Sequence, residues 1–245
     1  MVHKKRKGAS SPAVPPSLKG GGARILSPAQ VAKTAKDITW SFPDAIPNPG
    51  VILVLGAQGE GKTSLAFWAM AEWHQRSQGR LQGAVFKPTR AMKKLLPNWI
   101  AAPQSLLEIP ERSVCLIDEG QQHSNARRAS SSDNLEMSNL VALARQREQT
   151  IIVVTHFSRK IDFLEAAEAK RVIWKRPNAA HVMWERSQIK PFAMRAYETF
   201  QHAVGDTREL AYVLDFETLR MGMLRVKQAN FWTEAMSSAM SALAC

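Results

Sequence analysis

Short, wholly apolar runs separated by longer mixed stretches dominate the chain from residue 51 onward. Val51–Leu55, Gly83–Phe86, Val114–Ile117, Thr150–Thr155 and Arg171–Trp174 read as strands, with His181–Glu185 as a sixth. The central runs are strand-sized and do not alternate, which is the signature of parallel strands covered on both faces. Between them the pattern predicts helices over Thr63–Gln75, Asn134–Arg147, Arg159–Ala169 and Pro191–Gln201. The first of these sets Leu65, Trp68, Ala69 and Trp73 on one face. Strand and helix in alternation predict an α/β fold with a mostly parallel sheet and helices on both of its sides. Ahead of it, Ser27-Pro28-Ala29-Gln30 has the form of a helix start, with Ser as N-cap and Pro at the first position. Pro43, Pro47 and Pro49 stiffen the rest of a lead-in over residues 25–49. Residues 1–24 read as a disordered arm, because Gly8-Ala9-Ser10-Ser11-Pro12, Pro15-Pro16 and Gly20-Gly21-Gly22 cannot pack a core. The main domain is expected over residues 50–245, with a C-terminal extension from about residue 176.

Composition narrows the class. At 245 residues and 45% hydrophobic content the chain can bury a core and is not wholly disordered. Two cysteines, Cys115 and Cys245, support neither a disulfide framework nor a zinc cage, and point to a reducing compartment. No apolar run approaches the ~18–20 residues that cross a bilayer, and the basic start is not followed by a secretory apolar stretch. The formal charge is +12, and half of that surplus sits in residues 1–25 as Lys4, Lys5, Arg6, Lys7, Lys19 and Arg24, with no acid among them. A polyanionic partner, nucleic acid first, and a merely solubilising tail both fit this charge.

Chemistry is concentrated in Gly56-Ala57-Gln58-Gly59-Glu60-Gly61-Lys62-Thr63, which fits G-x-x-x-x-G-K-[ST] between an apolar strand and an amphipathic helix. The glycines let backbone N–H groups approach phosphate oxygens, and the following helix, starting near Ser64, adds its dipole. Lys62 supplies a charge for the β- and γ-phosphates, and Thr63 a hydroxyl for Mg²⁺. Residues 56–64 are therefore the expected nucleotide-binding set. Val114-Cys115-Leu116-Ile117 ends in Asp118-Glu119. Asp118 is the expected Mg²⁺ partner and Glu119 the group that polarises the attacking water. Cys115, inside the strand, is expected to be inert core.

Thr150–Thr155 leads to His156, where a strand end would face the γ-phosphate. His156 is either a sensor of hydrolysis or structural. Arg145 and Arg147 either reach the nucleotide of a neighbouring subunit or form a solvated helix end. Arg127 and Arg128 lie in the Ser-rich stretch Gln121–Asp133, expected to be a mobile loop, as finger or DNA-contact candidates. Trp174, Trp184 and Trp232 read as core or interface rather than as platforms for stacking nucleic-acid bases.

A Glu beside the Mg²⁺-binding Asp, with Gly83–Phe86 as an extra strand lying in sequence between the phosphate-loop strand and the acidic strand, resembles the branch of P-loop ATPases that includes RecA-like motors. More narrowly, the chain resembles FtsK/HerA-type ATPases, particularly the small genome-packaging ATPases of membrane-containing viruses. It is also similar to the ATPase part of zonula-occludens-toxin-like phage proteins. The resemblance rests on Gly56–Thr63, Leu116-Ile117-Asp118-Glu119-Gly120-Gln121, Ala144-Arg145-Gln146-Arg147-Glu148-Gln149-Thr150 and Phe231-Trp232-Thr233-Glu234. It implies an ATPase using ATP and Mg²⁺, assembled as a homo-oligomeric ring, often a hexamer, that pumps double-stranded DNA. Virion or portal proteins would be further partners, and the host cytoplasm or the virion its location. The family usually carries Gln where this chain has His156, and the toxin-like proteins carry a transmembrane helix not seen here. Two other readings are an ATPase for filamentous-phage assembly or extrusion, and an ATP-dependent regulatory or partition switch. Glu119 argues against a pure switch, because it has little to do without hydrolysis.

Overall fold

The structure is a computed structural model and describes residues 27–34, 36–118, 144–158 and 169–241. The expected arm, Glu119, Arg127, Arg128, Cys245 and nearly all of the helices expected over 134–147 and 159–169 lie outside these residues. Among the described residues, nine strands form one sheet in the order β1-β9-β8-β7-β2-β6-β5-β3-β4. They are β1 (Asp37–Thr39), β2 (Gly50–Leu55), β3 (Gln82–Val85), β4 (Ile100–Ala101) and β5 (Ser113–Asp118). The rest are β6 (Thr150–Val154), β7 (Arg171–Trp174), β8 (Leu210–Asp215) and β9 (Met221–Arg225). All pairings are parallel except those made by β8, which runs against β7 and β9. The α/β expectation and its five central strands stand, each within a residue of its expected bounds.

Helices cover both faces. Among the described residues they are α1 (Pro28–Thr34), α2 (Phe42–Ala45), α3 (Lys62–Arg76), α4 (Arg90–Lys93), α5 (Ala179–Trp184), α6 (Lys190–Gln201) and α7 (Glu234–Ser241). Side chains alternate across each strand, so the apolar runs split between two cores. Val51, Leu53, Leu55, Cys115, Ile117, Val172 and Trp174 face α6. Ile52, Val54, Val114, Leu116, Ile152 and Ile173 face α3. Burial pushes the Cys115 thiol far above its ordinary value, as inert core requires.

Two sequence expectations need correction. His181–Glu185 is not a strand: Asn178 caps a helix there, its side-chain oxygen accepting the His181 N–H at 3.1 Å. The helix expected to run to Arg147 ends earlier, because Ala144 is its last helical residue and Arg145–Glu148 form a turn with Glu148 at φ 53°. The Ser27 start is confirmed: Gln30 N–H donates to the Ser27 hydroxyl at 3.3 Å, and Gln30 Oε1 accepts the Ser27 N–H at 2.9 Å. The lead-in then joins the main sheet through β1, paired with β9.

Candidate active site

Every strand but β8 points its C-terminal end to one edge of the sheet, where α/β folds place their ligands. At that edge β2 turns through Gly56 to Gly61 into α3. Gly56 sits at φ 140°, and a Cβ there would come within 2.5 Å of the Lys175 carbonyl oxygen. Only glycine allows this loop to pass so close to the end of β7. Gly61 caps α3 in the left-handed region, at φ 83°. Lys62, nearly buried, donates its ammonium to the carbonyls of Gly56 and Ala57, both at 2.9 Å. The lysine is thus folded back onto the loop that it serves.

The two sequence motifs meet in space. The Thr63 hydroxyl donates to the Asp118 carboxylate at 3.0 Å, across 55 residues of chain. Both are hard oxygen donors, the kind Mg²⁺ takes, and they sit beside the loop's amides. Asp118 is the last residue of β5, and β6 lies between β5 and the loop-bearing β2. The extra strand that separates the two motifs in space is therefore β6, while β3 lies outside β5. Val154 and His156, at the end of β6, line the same cavity as Thr63 and Asp118. Arg145 and Arg147 precede β6 and so stand at the opposite edge of the sheet. Arg145 is exposed, whereas Arg147 donates to the Ile109 carbonyl at 2.7 Å. Neither enters this chain's own cavity.

A corner that the sequence did not single out braces the loop. Lys175 N–H donates to the Leu55 carbonyl at 2.8 Å, and Ala57 N–H to the Arg176 carbonyl at 3.3 Å. The Arg176 guanidinium bonds Glu60 at 2.6 and 3.1 Å. Lys175 is fully buried, with its ammonium donating to the carbonyls of Arg208 at 2.6 Å and Leu210 at 2.7 Å. Burial pulls its pKa down to about 8, partly offset by Glu60 and Asp206. His181 packs nearby, stacked on Phe157, with Nδ1 2.6 Å from the Asn178 side-chain oxygen. Burial is the main cause holding its pKa below the ordinary value. The Lys62 charge adds to that, while the carbonyls of Gly56 and His156 and the Glu185 carboxylate oppose it. The Ser158 hydroxyl donates to the Glu185 carboxylate, tying the end of β6 to the end of α5.

The cavity holds about 750 Å³. One wall is the loop from Gln58 to Ser64. The other comes from the C-terminal extension, for which the sequence suggested no role: Arg208, Arg225, Val226, Trp232, Ser237 and Met240 are among its lining residues. The topology explains this, because antiparallel β8 begins, and β9 ends, at the edge where β2 ends. The run Leu210–Leu214 carries the same apolar signal as Val114–Ile117 and could have been read as a strand. Of the tryptophans expected in core or interface, Trp174 is buried and Trp232 half-buried, but Trp184 is 61% exposed.

No family model matches the chain, and neither does any curated protein. Among solved structures, it superposes on the genome-packaging NTPase of Sulfolobus turreted icosahedral virus 2 in complex with sulfate. The TM-score is 0.51 at 10% identity, over 75% of this chain and 99% of that one. The DNA-packaging ATPase of Sulfolobus turreted icosahedral virus gives 0.50 at 10% identity, over 74% and 98%. The N-terminal domain of zonular occludens toxin from Neisseria meningitidis, at 0.38, superposes too loosely to be weighed. At such identities the likeness is one of fold: the chain has a RecA-like P-loop NTPase architecture, similar to that of viral genome-packaging ATPases.

Proposed function

We propose that this chain is an ATP-hydrolysing motor that translocates double-stranded DNA, packaging a viral genome. The observation that carries the ATPase reading is the Thr63–Asp118 contact, 3.0 Å across 55 residues and set beside the loop of Gly56 to Gly61. In this reading the amides of residues 59–64 and the N-terminus of α3 receive the triphosphate. Lys62 leaves the Gly56 and Ala57 carbonyls for the β- and γ-phosphate oxygens. Thr63 and Asp118 would hold Mg²⁺, which when bound neutralises charge on the phosphates. Glu119, next after Asp118, accepts the proton of the attacking water. His156 senses the outcome from the end of β6. Arg145, exposed at the opposite edge, serves a neighbouring subunit's nucleotide, with Arg147 in support from its anchored position.

DNA as the cargo is supported by the basic surplus of the sequence and by the likeness in fold to DNA-packaging ATPases. Such motors grip the phosphate backbone, so binding depends on charge rather than base sequence. A homo-oligomeric ring, with virion or portal proteins as docking partners, completes the proposal. No described helix is long and apolar enough to cross a membrane. The test is ATP turnover by the full chain with and without double-stranded DNA over a salt series. Turnover should rise with DNA and that rise should fall steeply between 50 and 200 mM salt, as counterion release requires on the order of several phosphate contacts. Lys62→Ala should abolish turnover. Full hydrolysis by that variant would remove the site assignment, and turnover indifferent to any nucleic acid would remove the motor.

A further inference from the structure

After β9 the chain does not leave the domain. It crosses the outside of α3 and leads into α7, packed beside α4 on the far half of the sheet. Aromatic side chains fix this path. The ring of Phe67, on α3, lies 6.0 Å from Phe231 and 5.1 Å from Trp232, and Phe231 lies 5.5 Å from Trp99. Met236 of α7 is 1% exposed. The segment is therefore a strap seated on the domain, not a loose tail.

Its inner side faces the cavity, which has two chemistries. The wall from Gln58 to Ser64 with Asp118 offers amides, a cation and hydroxyls, suited to a polyphosphate. The strap offers a flat aromatic surface, a thioether and small polar groups: Trp232, Met240, Ser237 and Gln228. Phosphates have no use for an aromatic face, whereas a nucleobase stacks on one. The volume of about 750 Å³ falls within the range of pockets that enclose a whole small ligand, not a triphosphate alone.

We infer that the strap from Val226 to Met240 is the nucleoside-recognition element of this site, with Trp232 and Met240 against the base and Gln228 and Ser237 toward the ribose. This rests on the nucleotide-site reading above and adds the part of the ligand that the phosphate loop does not read. Because Trp232 also packs on Phe67, a bound nucleoside tightens the strap on α3. Base recognition and docking of the C-terminal segment are then one event.

The experiment compares ATP with inorganic tripolyphosphate, which has the same phosphates and no nucleoside, on the full chain by titration calorimetry. Trp232→Ala should weaken ATP about tenfold and leave tripolyphosphate within about twofold. Trp232→Phe, which keeps a ring on Phe67, should recover most of the ATP affinity. Hydrogen exchange of the unaltered protein supplies a readout that needs no variant: ATP should slow exchange across residues 226–240, and tripolyphosphate should not. Equal losses for the two ligands, no loss for either, or equal protection by both would overturn the strap inference while leaving the phosphate site intact. If the unaltered protein binds neither ligand, the nucleotide-site reading itself falls, and the strap inference with it.

Discussion

Asp118 and Lys175 are both placed by the ends of buried strands, and their chemistry differs with their surroundings. Asp118 ends β5 at the cavity, where Thr63 donates to it. Glu119, which follows it, is the proposed base, so the two carboxylates should separate by function. Glu119→Gln should keep ATP affinity and lower turnover by at least about a hundredfold, the lower range for losing a general base. Asp118→Asn should instead weaken the dependence of ATP binding on Mg²⁺. A turnover assay together with calorimetry with and without Mg²⁺ checks both; loss of binding in Glu119→Gln would make that residue structural. Lys175 points away from solvent into the corner behind the loop, and its pKa of about 8 lies below the ordinary lysine value of 10.5. Between pH 8 and 10.5 the unfolded chain keeps a proton there that the folded chain has lost, so the folded state gains stability as pH rises. Denaturation of the unaltered protein and Lys175→Met across that window should show the difference moving in favour of the unaltered protein, by about 3 kcal/mol. A flat difference would mean that the folded corner keeps the amine protonated as the unfolded chain does.

Among the elements, legibility in the sequence followed the source of each one's stability. β2, β5, β6 and β7 are buried on both faces and show as apolar runs that nothing else explains. The phosphate loop was legible because its backbone demands glycine at fixed places and its chemistry demands Lys62 and Thr63. β9 was not, because Met221-Gly222-Met223-Leu224-Arg225 lacks β-branched residues, and its glycine is explained only by β1, whose Ile38 backbone would meet any Cβ there. The short stretch His181–Glu185 looked like a strand until Asn178 was seen to cap it. The strap was the least legible element. Its apolar residues, from Val226 and Ala229 through Phe231 and Trp232 to Met236, show no period, since each meets a different partner along a path across α3. That path also accounts for the near-complete burial of the first half of α3, where one apolar face was expected: Phe67 is covered from outside by the strap.

At the scale of the whole molecule, the cavity is closed by segments far apart in sequence: its lining residues come from 58–64, 118, 154–156, 206–209 and 225–240. The charge is organised differently, with six of the basic residues before position 25. Removing residues 1–26 should therefore lower DNA affinity and its salt slope while leaving the melting temperature and unstimulated ATP turnover unchanged. Fluorescence anisotropy with double-stranded DNA and a thermal melt check this, and a collapse in melting temperature would show that the arm belongs to the fold.

A cut made later would have a different outcome, owing to the three-residue strand β1. Among the described residues it is the only cover of the outer edge of β9. A chain beginning at residue 50, where the sequence pattern alone would start the domain, leaves the N–H and C=O groups of Met221–Arg225 open along one side. Such a row is a template for a strand from another molecule. The short lead-in thus acts as a guard against self-association, and its loss should be felt first as precipitation at high concentration, before any change in the chemistry at the phosphate loop.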